Sequence, residues 1–593
     1  MIETYQSNLE NFIHWATNTP ENIYLKQPVA GTYTDYSYQE SLRIVEHIGS
    51  YLNQQLNREI PQHIGILAKN SAHWMLADLA ISYAGAISVP FYATLTSEQL
   101  NHVLVHSDCQ ILIVGKLDNW DEIQKGIPDS VQIIFTPDSP CKKGLAWNDI
   151  LANPIQKLEP VLPQKDALAT IIYTSGTTGV PKGVMITNGS ISQALNLARE
   201  IAYLDRPNTR FISYLPLCHI AERNFVEFAC TAAGGTIYFV ESLDTFQQNL
   251  LQARPSHFLA VPRIWAKFKE GILNKIGGQK KLSLLLSIPI VKNIIQKKIQ
   301  KGLGLDQTCM VVTGAAPMPQ ELTAWFQSIG LYIQEAYGMT ENLGLNSLTP
   351  RHKIKLGTVG RVHDQCTTRI DPETGEIQMK ADYNCLGYYK NQEQTDALFD
   401  GEWLKTGDMG QLDSENYLSI VGRVKDNFKT AKGQYVSPAP IENALSLHEL
   451  IEVACVVGVN LPQPLGLVLL SQQSSELPQQ ELVSALEKLL NETNPLFKKY
   501  EYLKKLIVIR EPWTVENACL TPTLKIRRMQ IGRNQHKGDV GLAIGCLAIL
   551  EPLAPDDLRG AFLDVGATDG ELEICAGQPA GETTMLQHGR TLC

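Results

Sequence analysis

The stretch YTSGTTGVPKGV, from Tyr173 to Val184, holds one Ser, three Thr, three Gly and one Lys within twelve residues. Hydroxyls, exposed backbone N–H groups and a lysine ammonium are the groups that hold phosphate. Glycine lets the backbone come close to such an anion with no Cβ in the way. A polar surface turn is the alternative reading, but a turn does not need this density of donors. The stretch is not a Walker loop, which requires Gly-Lys-Ser/Thr after four spacer residues. Here Lys182 follows Pro181 and precedes Gly183.

Three more stretches carry reactive groups. YGMTEN, from Tyr337, sets an aromatic ring, a hydroxyl and a carboxylate within five residues. Tyr337 suits stacking on a base, Thr340 a bond to phosphate, and Glu341 a hard cation such as Mg2+, which prefers oxygen ligands. GEWLKTGD ends in Asp408, a carboxylate able to accept from both hydroxyls of a ribose. GRVKDNFKTAKGQYVSPAPIE, from Gly422, carries Arg423, Lys425, Lys429 and Lys432, with Gly433 among the charges; a solvated basic loop is its plain alternative.

The elements that must position these groups follow from periodicity. ALATII before Tyr173 and HIGILA from His63 read as buried strands, as do CQILIVG and VQIIF. Residues 37–55 carry apolar positions at helical spacing, and SAHWMLADLAISYAGA reads as a buried helix with Ser71 as N-cap. Strands alternating with helices indicate parallel α/β sheets, and the alternation continues through FISYLPL, GGTIYFV and MVVTGAA. After Thr406, GDMGQLDSENYLSIVGR reads as a short β-meander, followed by a mixed α+β stretch to about residue 528. No internal repeat is visible.

A chain of 593 residues exceeds what one core usually serves. The net charge of −10 argues against a nucleic-acid partner. The twelve Cys are scattered without a CxxC pair, which suits reduced thiols in a cytosol. The acidic start MIETYQSNLENFIHWA lacks an unbroken apolar core and is not a secretory signal. No apolar run reaches the length of a membrane span.

Taken together, these motifs, in this order and spacing, resemble the adenylate-forming superfamily over about residues 10–528. Within it, LPLCHIAER, VPRIW and FKTAKGQYVSPAPIE are most similar to the long-chain fatty acyl-CoA synthetases. The fold implied is α/β. A large N-terminal domain (1–422) has parallel-type sheets packed with helices and a β-rich part. A small mobile α+β lid (423–528) and an atypical tail (529–593) follow. The resemblance implies that Thr174, Ser175, Gly176, Thr177, Thr178 and Gly179 cradle the β- and γ-phosphates of ATP, with Lys182 assisting. Gly314, Ala315 and Ala316 of TGAAP line the adenine site with Tyr337 against the ring. Thr340 touches the α-phosphate, Glu341 binds Mg2+, and Asp408 and Arg423 hold the ribose. Lys425 stands at the hinge.

LTPTLKIRR, from Leu520, resembles the segment with the family's late catalytic lysine, here Lys525; a basic surface loop is the alternative. An anionic carboxylate must attack an anionic α-phosphate, and a bridging cation lowers that barrier. The implied reaction joins a medium- to long-chain fatty acid and ATP into an acyl-adenylate. A turn about the hinge then withdraws Lys525 and brings in Lys429 and Gly433, the latter passing a pantetheine arm. The thiol belongs to CoA or, alternatively, to a carrier-protein phosphopantetheine. A non-catalytic relative disabled by its tail is the third reading. Amino-acid-activating relatives carry an Asp where this chain reads PLCHIAER, so α-amino acids are disfavoured. His219 and Trp265 match acyl-tunnel wall and gate positions, or are ordinary core residues.

The implied location is cytoplasmic. QKKLSLLLSIPIVKNIIQKKIQKGL (279–303), an apolar centre flanked by lysines, reads either as a peripheral contact on the inner membrane face or as a buried helical hairpin. After Arg528 the chain departs from the family, becoming rich in Gly and Ala. This tail reads as a small appended module, a flexible extension or the product of a reading-frame change.

Overall fold

The computed structural model describes residues 6–56, 62–175, 181–446, 448, 450–459, 461–475, 477–514, 517, 519–520, 526–528, 530–531 and 546–548. Two helix-covered sheets make up most of the large domain, in keeping with the expected parallel-type sheets. The first has eight strands in the order Gly387–Tyr388, Pro181–Thr187, Leu168–Ser175, Ile87–Phe91, His63–Leu67, Ile111–Val114, Gln132–Phe135, Leu145–Ala146. The six strands from Leu168–Ser175 to Leu145–Ala146 run parallel. All five residues of His63–Leu67 are buried, as are those of Ile87–Phe91. Continuous apolar runs are the mark of parallel strands covered on both faces. Ser71 caps the helix Ala72–Tyr83, its Oγ accepting from the Trp74 N–H.

The second sheet has nine strands: Arg361–Val362, Ser347–Leu348, Gln334–Tyr337, Met310–Thr313, His257–Ala260, Arg210–Ser213, Thr236–Phe239, Ile23–Val29, Thr32–Ser37. The six from Gln334–Tyr337 to Ile23–Val29 are parallel. In the β-rich part, Trp403–Leu412 and Leu418–Arg423 pair antiparallel where the meander after Thr406 was expected, and Glu376–Lys380, outside that stretch, pairs antiparallel with Trp403–Leu412.

In the small domain, Ile451–Val457, Leu465–Leu470 and Leu506–Ile509 form a sheet with helices Pro438–Ser446 and Gln479–Thr493. Ile441, Leu445, Leu482 and Leu486 from those helices share a buried cluster with Ala454, Val468 and Val508. The strand Cys546–Ala548 adds to the same sheet, antiparallel to Leu506–Ile509, so three residues of the atypical tail join this domain.

Residues 279–303 form two helices, Gln279–Ser287 and Pro289–Leu303, with Pro289 at the start of the second, where its missing N–H costs nothing. Among the described residues no helix is long and apolar enough to cross a membrane. The nine cysteines from Cys109 to Cys519 are buried and free of disulfides.

Candidate active site

In open parallel sheets, ligands bind beyond the carboxyl ends of the strands. Met310–Thr313 and Gln334–Tyr337 are adjacent and parallel, so TGAA and YGMTEN leave the sheet side by side. Ala315 takes a left-handed φ of 64°. At Gly338 a Cβ would meet the Gly344 backbone at 2.2 Å, so the turn that returns the chain after Thr340–Asn342 demands glycine there. Thr340 and Glu341 sit on that single 3-10 turn, both buried.

Asp408 and Arg423 face each other as cross-strand partners in the meander. The Arg423 Nε donates to Asp408 Oδ1 at 3.0 Å, and the Tyr337 hydroxyl donates to Oδ2 at 2.8 Å. Burial, and then the Asp408 charge, hold the Tyr337 phenol well above its ordinary pKa, so it stays a donor. Of the six residues that sequence reading assigned to adenine and ribose, Tyr337, Asp408 and Arg423 are thus one bonded group, with the Tyr337 hydroxyl committed to Asp408.

Leu168–Ser175 and Pro181–Thr187 form an antiparallel hairpin with Thr174 opposite Lys182 and Ser175 opposite Pro181. Gly176, Thr177, Thr178 and Gly179 lie outside the described residues. The Lys182 ammonium stands 4.8 Å from the centre of the Tyr388 ring. Burial and then Lys425 push its pKa down, while Glu341 pushes it up. Lys182 of the hairpin, the Glu341 turn and Lys425 therefore converge. Tyr388 joins them: its hydroxyl donates to Glu341 Oε1 at 2.7 Å. It reaches this point because Gly387–Tyr388 pairs with the second arm of the hairpin.

Sequence reading did not single out Tyr388, nor two arginines that brace the site. Arg223, the last residue of LPLCHIAER, is buried; its guanidinium donates to Glu227 Oε2 at 2.9 Å, Thr170 Oγ1 at 2.7 Å and Asp78 Oδ1 at 2.6 Å. It ties the strand that leads into the phosphate hairpin to the helix Ala72–Tyr83. Arg528 donates to both carboxylate oxygens of Glu442 and to the Val456 carbonyl. This anchors the chain three residues beyond Lys525, which itself lies outside the described residues. Arg223 and Arg528 each end a motif singled out in the sequence, LPLCHIAER and LTPTLKIRR, which was the available signal for both; Tyr388 had none.

Lys425 and Lys429 are exposed. Gly433, with φ of 78°, turns the short hairpin Phe428–Lys429 and Tyr435–Val436. His219 accepts from the Ala221 N–H and caps a short helix. Trp265 is fully buried, donates to the Ala260 carbonyl at 3.1 Å, and packs edge-on against Phe258, Phe268 and Phe326. The structure therefore gives it core packing.

Among the described residues no three His, Cys, Asp or Glu side chains cluster to hold a metal. Thr340 and Glu341 offer oxygen atoms beside the hairpin arm that carries Lys182. That set fits Mg2+, which commonly takes one or two carboxylates and completes its shell with phosphates and water.

Two family models match the chain: the AMP-binding enzyme family over residues 12–389 and the AMP-binding enzyme C-terminal domain over 425–534. A human protein named long-chain-fatty-acid–CoA ligase ACSBG2 is 29% identical over 67% of this chain and 66% of its own length. The mouse long-chain-fatty-acid–CoA ligase 5 is 28% identical over 84% of this chain and 82% of its own. Among solved structures, an O-succinylbenzoate coenzyme A synthetase from Bacillus subtilis, in complex with ATP and magnesium ion, superposes with a TM-score of 0.67 at 21% identity. That alignment covers 88% of this chain and 99% of the synthetase.

Proposed function

The chain belongs to the AMP-binding enzyme family, and from that premise we propose that it activates a medium- to long-chain fatty acid with ATP and transfers the acyl group to coenzyme A. The observation that carries this reading is the convergence of Lys182, Glu341 and Tyr388 beside the Tyr337–Asp408–Arg423 group. Two anions can be held there next to a nucleoside. The names of the relatives, long-chain-fatty-acid–CoA ligases, supply the substrate class.

Asp408, fixed by Tyr337 and Arg423, accepts from the ribose hydroxyls and sets the position of the α-phosphate. Lys182 and the donors of Thr174–Gly179 hold the β- and γ-phosphates. Glu341 would hold Mg2+, which would supply positive charge against the phosphates. A fatty carboxylate oxygen attacks the α-phosphorus, the bond to pyrophosphate breaks, and Lys525 bridges the two anions as charge builds on the phosphoryl oxygens. In the second half, a thiolate sulfur attacks the acyl carbon and the bond to AMP breaks. The small domain turns about Lys425 between the halves, exchanging Lys525 for the Lys429–Gly433 hairpin. His219 and Trp265 stand where the resemblance puts the wall and gate of the acyl tunnel, and Trp265, packed in the core, would back that wall.

The test is formation of AMP and loss of free CoA thiol with acids of graded length and, separately, α-amino acids. The reading expects turnover with medium or long fatty acids and none with amino acids. Turnover with a carrier-protein thiol in place of CoA would reassign the acceptor. Amino-acid turnover would overturn the substrate class.

A further inference from the structure

The hairpin formed by helices Gln279–Ser287 and Pro289–Leu303 buries one side and leaves another apolar. Leu282, Ile299 and Leu303 enter the same buried cluster as Trp265 and Phe326. Gln279 accepts from the Trp325 indole N–H at 2.8 Å. The hairpin is therefore firmly seated. Yet Leu284, Ile288, Ile290 and Ile294 are 66%, 47%, 77% and 60% exposed. Ile288 and Ile290 flank Pro289 at the turn, so aliphatic side chains project where the two helices meet.

Around this tip the charge is one-sided. Residues 279–303 hold Lys280, Lys281, Lys292, Lys297, Lys298 and Lys301, all exposed, and no Asp or Glu, in a chain whose net charge is −10. Glu270, on the neighbouring helix Pro262–Ile276, stands among Lys267, Lys269 and Lys275. A compact aliphatic tip between lysine-bearing arms suits the boundary between headgroups and acyl chains. The lysine stems reach along apolar surface and leave the ammonium groups at headgroup level. A second copy of the chain fits poorly, because symmetric pairing would set this lysine cluster against itself.

We infer that the 279–303 hairpin is a docking surface for an anionic phospholipid bilayer, entered tip-first to the depth of Ile290 and Ile294. Helices of nine and fifteen residues rest in such an interface and do not cross it. The inference stands independently of the ligase reading. Because the hairpin backs onto the cluster that holds Trp265, docking would bring the proposed acyl wall next to a lipid phase.

The experiment is co-sedimentation of the full chain with vesicles of phosphatidylcholine alone, or with about one third phosphatidylglycerol, at low and high salt. Three proteins are compared: wild type, I290S/I294S and K297Q/K298Q. Wild type is expected to bind the anionic vesicles at least about tenfold more tightly than the neutral ones, and to be released by salt. Either variant is expected to lose on the order of tenfold in partition while keeping the wild-type melting temperature. Absence of vesicle binding by folded wild type, or equal binding by all three proteins, overturns the inference. So does sedimentation velocity showing that the two isoleucines instead hold two copies together.

Discussion

At the scale of single residues, the site depends on side chains whose partners fix their orientation. Tyr388 donates to one oxygen of Glu341 and offers its ring to Lys182. Removing the hydroxyl leaves the ring and the packing but frees the carboxylate to rotate. Tyr388→Phe is therefore expected to raise the Mg2+ concentration needed for half-maximal rate by about 10–100-fold. The melting temperature should change little, and an unchanged Mg2+ dependence would remove Tyr388 from the site. A second prediction concerns pH. Burial, against opposing bonds from Ser213, Tyr214 and Leu215, pushes the Glu222 carboxyl from 4.5 up to about 8. Between those values the folded protein binds a proton that the unfolded chain has released. Stability from this group therefore falls as pH rises from about 4.5 to 8, by up to about 1.4 kcal/mol per unit, and is level above. Glu222→Gln should flatten that slope in a melting-temperature profile; an unaltered slope would contradict the assignment.

At the scale of elements, the hairpin of Leu168–Ser175 and Pro181–Thr187, proposed to hold phosphate, is anchored by a buried ion group. Arg223 joins Asp78 on one helix, Thr170 on the hairpin's first strand and Glu227 one turn along. Truncating it leaves carboxylates buried without their cation. Arg223→Ala is expected to cost roughly 3–5 kcal/mol, read as a lower denaturation midpoint. A loss under about 1 kcal/mol would mean that the group is not a brace. This scale also shows what the sequence made legible. The helix after Ser71, the strand at His63 and the meander after Thr406 announce themselves by local period and capping. Asp408 and Arg423 were readable because their motifs lie 15 residues apart on neighbouring strands. Tyr388 lies 47 residues from Glu341, on a two-residue strand with no period to detect. Arg223 meets Asp78 across 145 residues. The split into two sheets rests on similarly distant pairings, such as Leu25 with Ile237. Long-range pairing is decided by packing, which leaves no local mark.

At the scale of the whole molecule, the question is how two domains share one site. Lys425 is close enough to depress the Lys182 pKa, and Arg263 of VPRIW pairs with Glu452 of the small domain. The Arg263–Glu452 pair joins the two domains, so the proposed turn about Lys425 would break it. Arg528, bound to Glu442, fixes the chain at residue 528 to the helix Pro438–Ser446 of the small domain. The measurement that tests this account most directly is fatty-acid-dependent ATP–pyrophosphate exchange by wild type and Lys525→Ala. The account predicts exchange with a medium or long fatty acid, reduced on the order of 10²–10³-fold in the variant. Folded wild-type protein that supports no exchange, or exchange untouched by loss of Lys525, would contradict it.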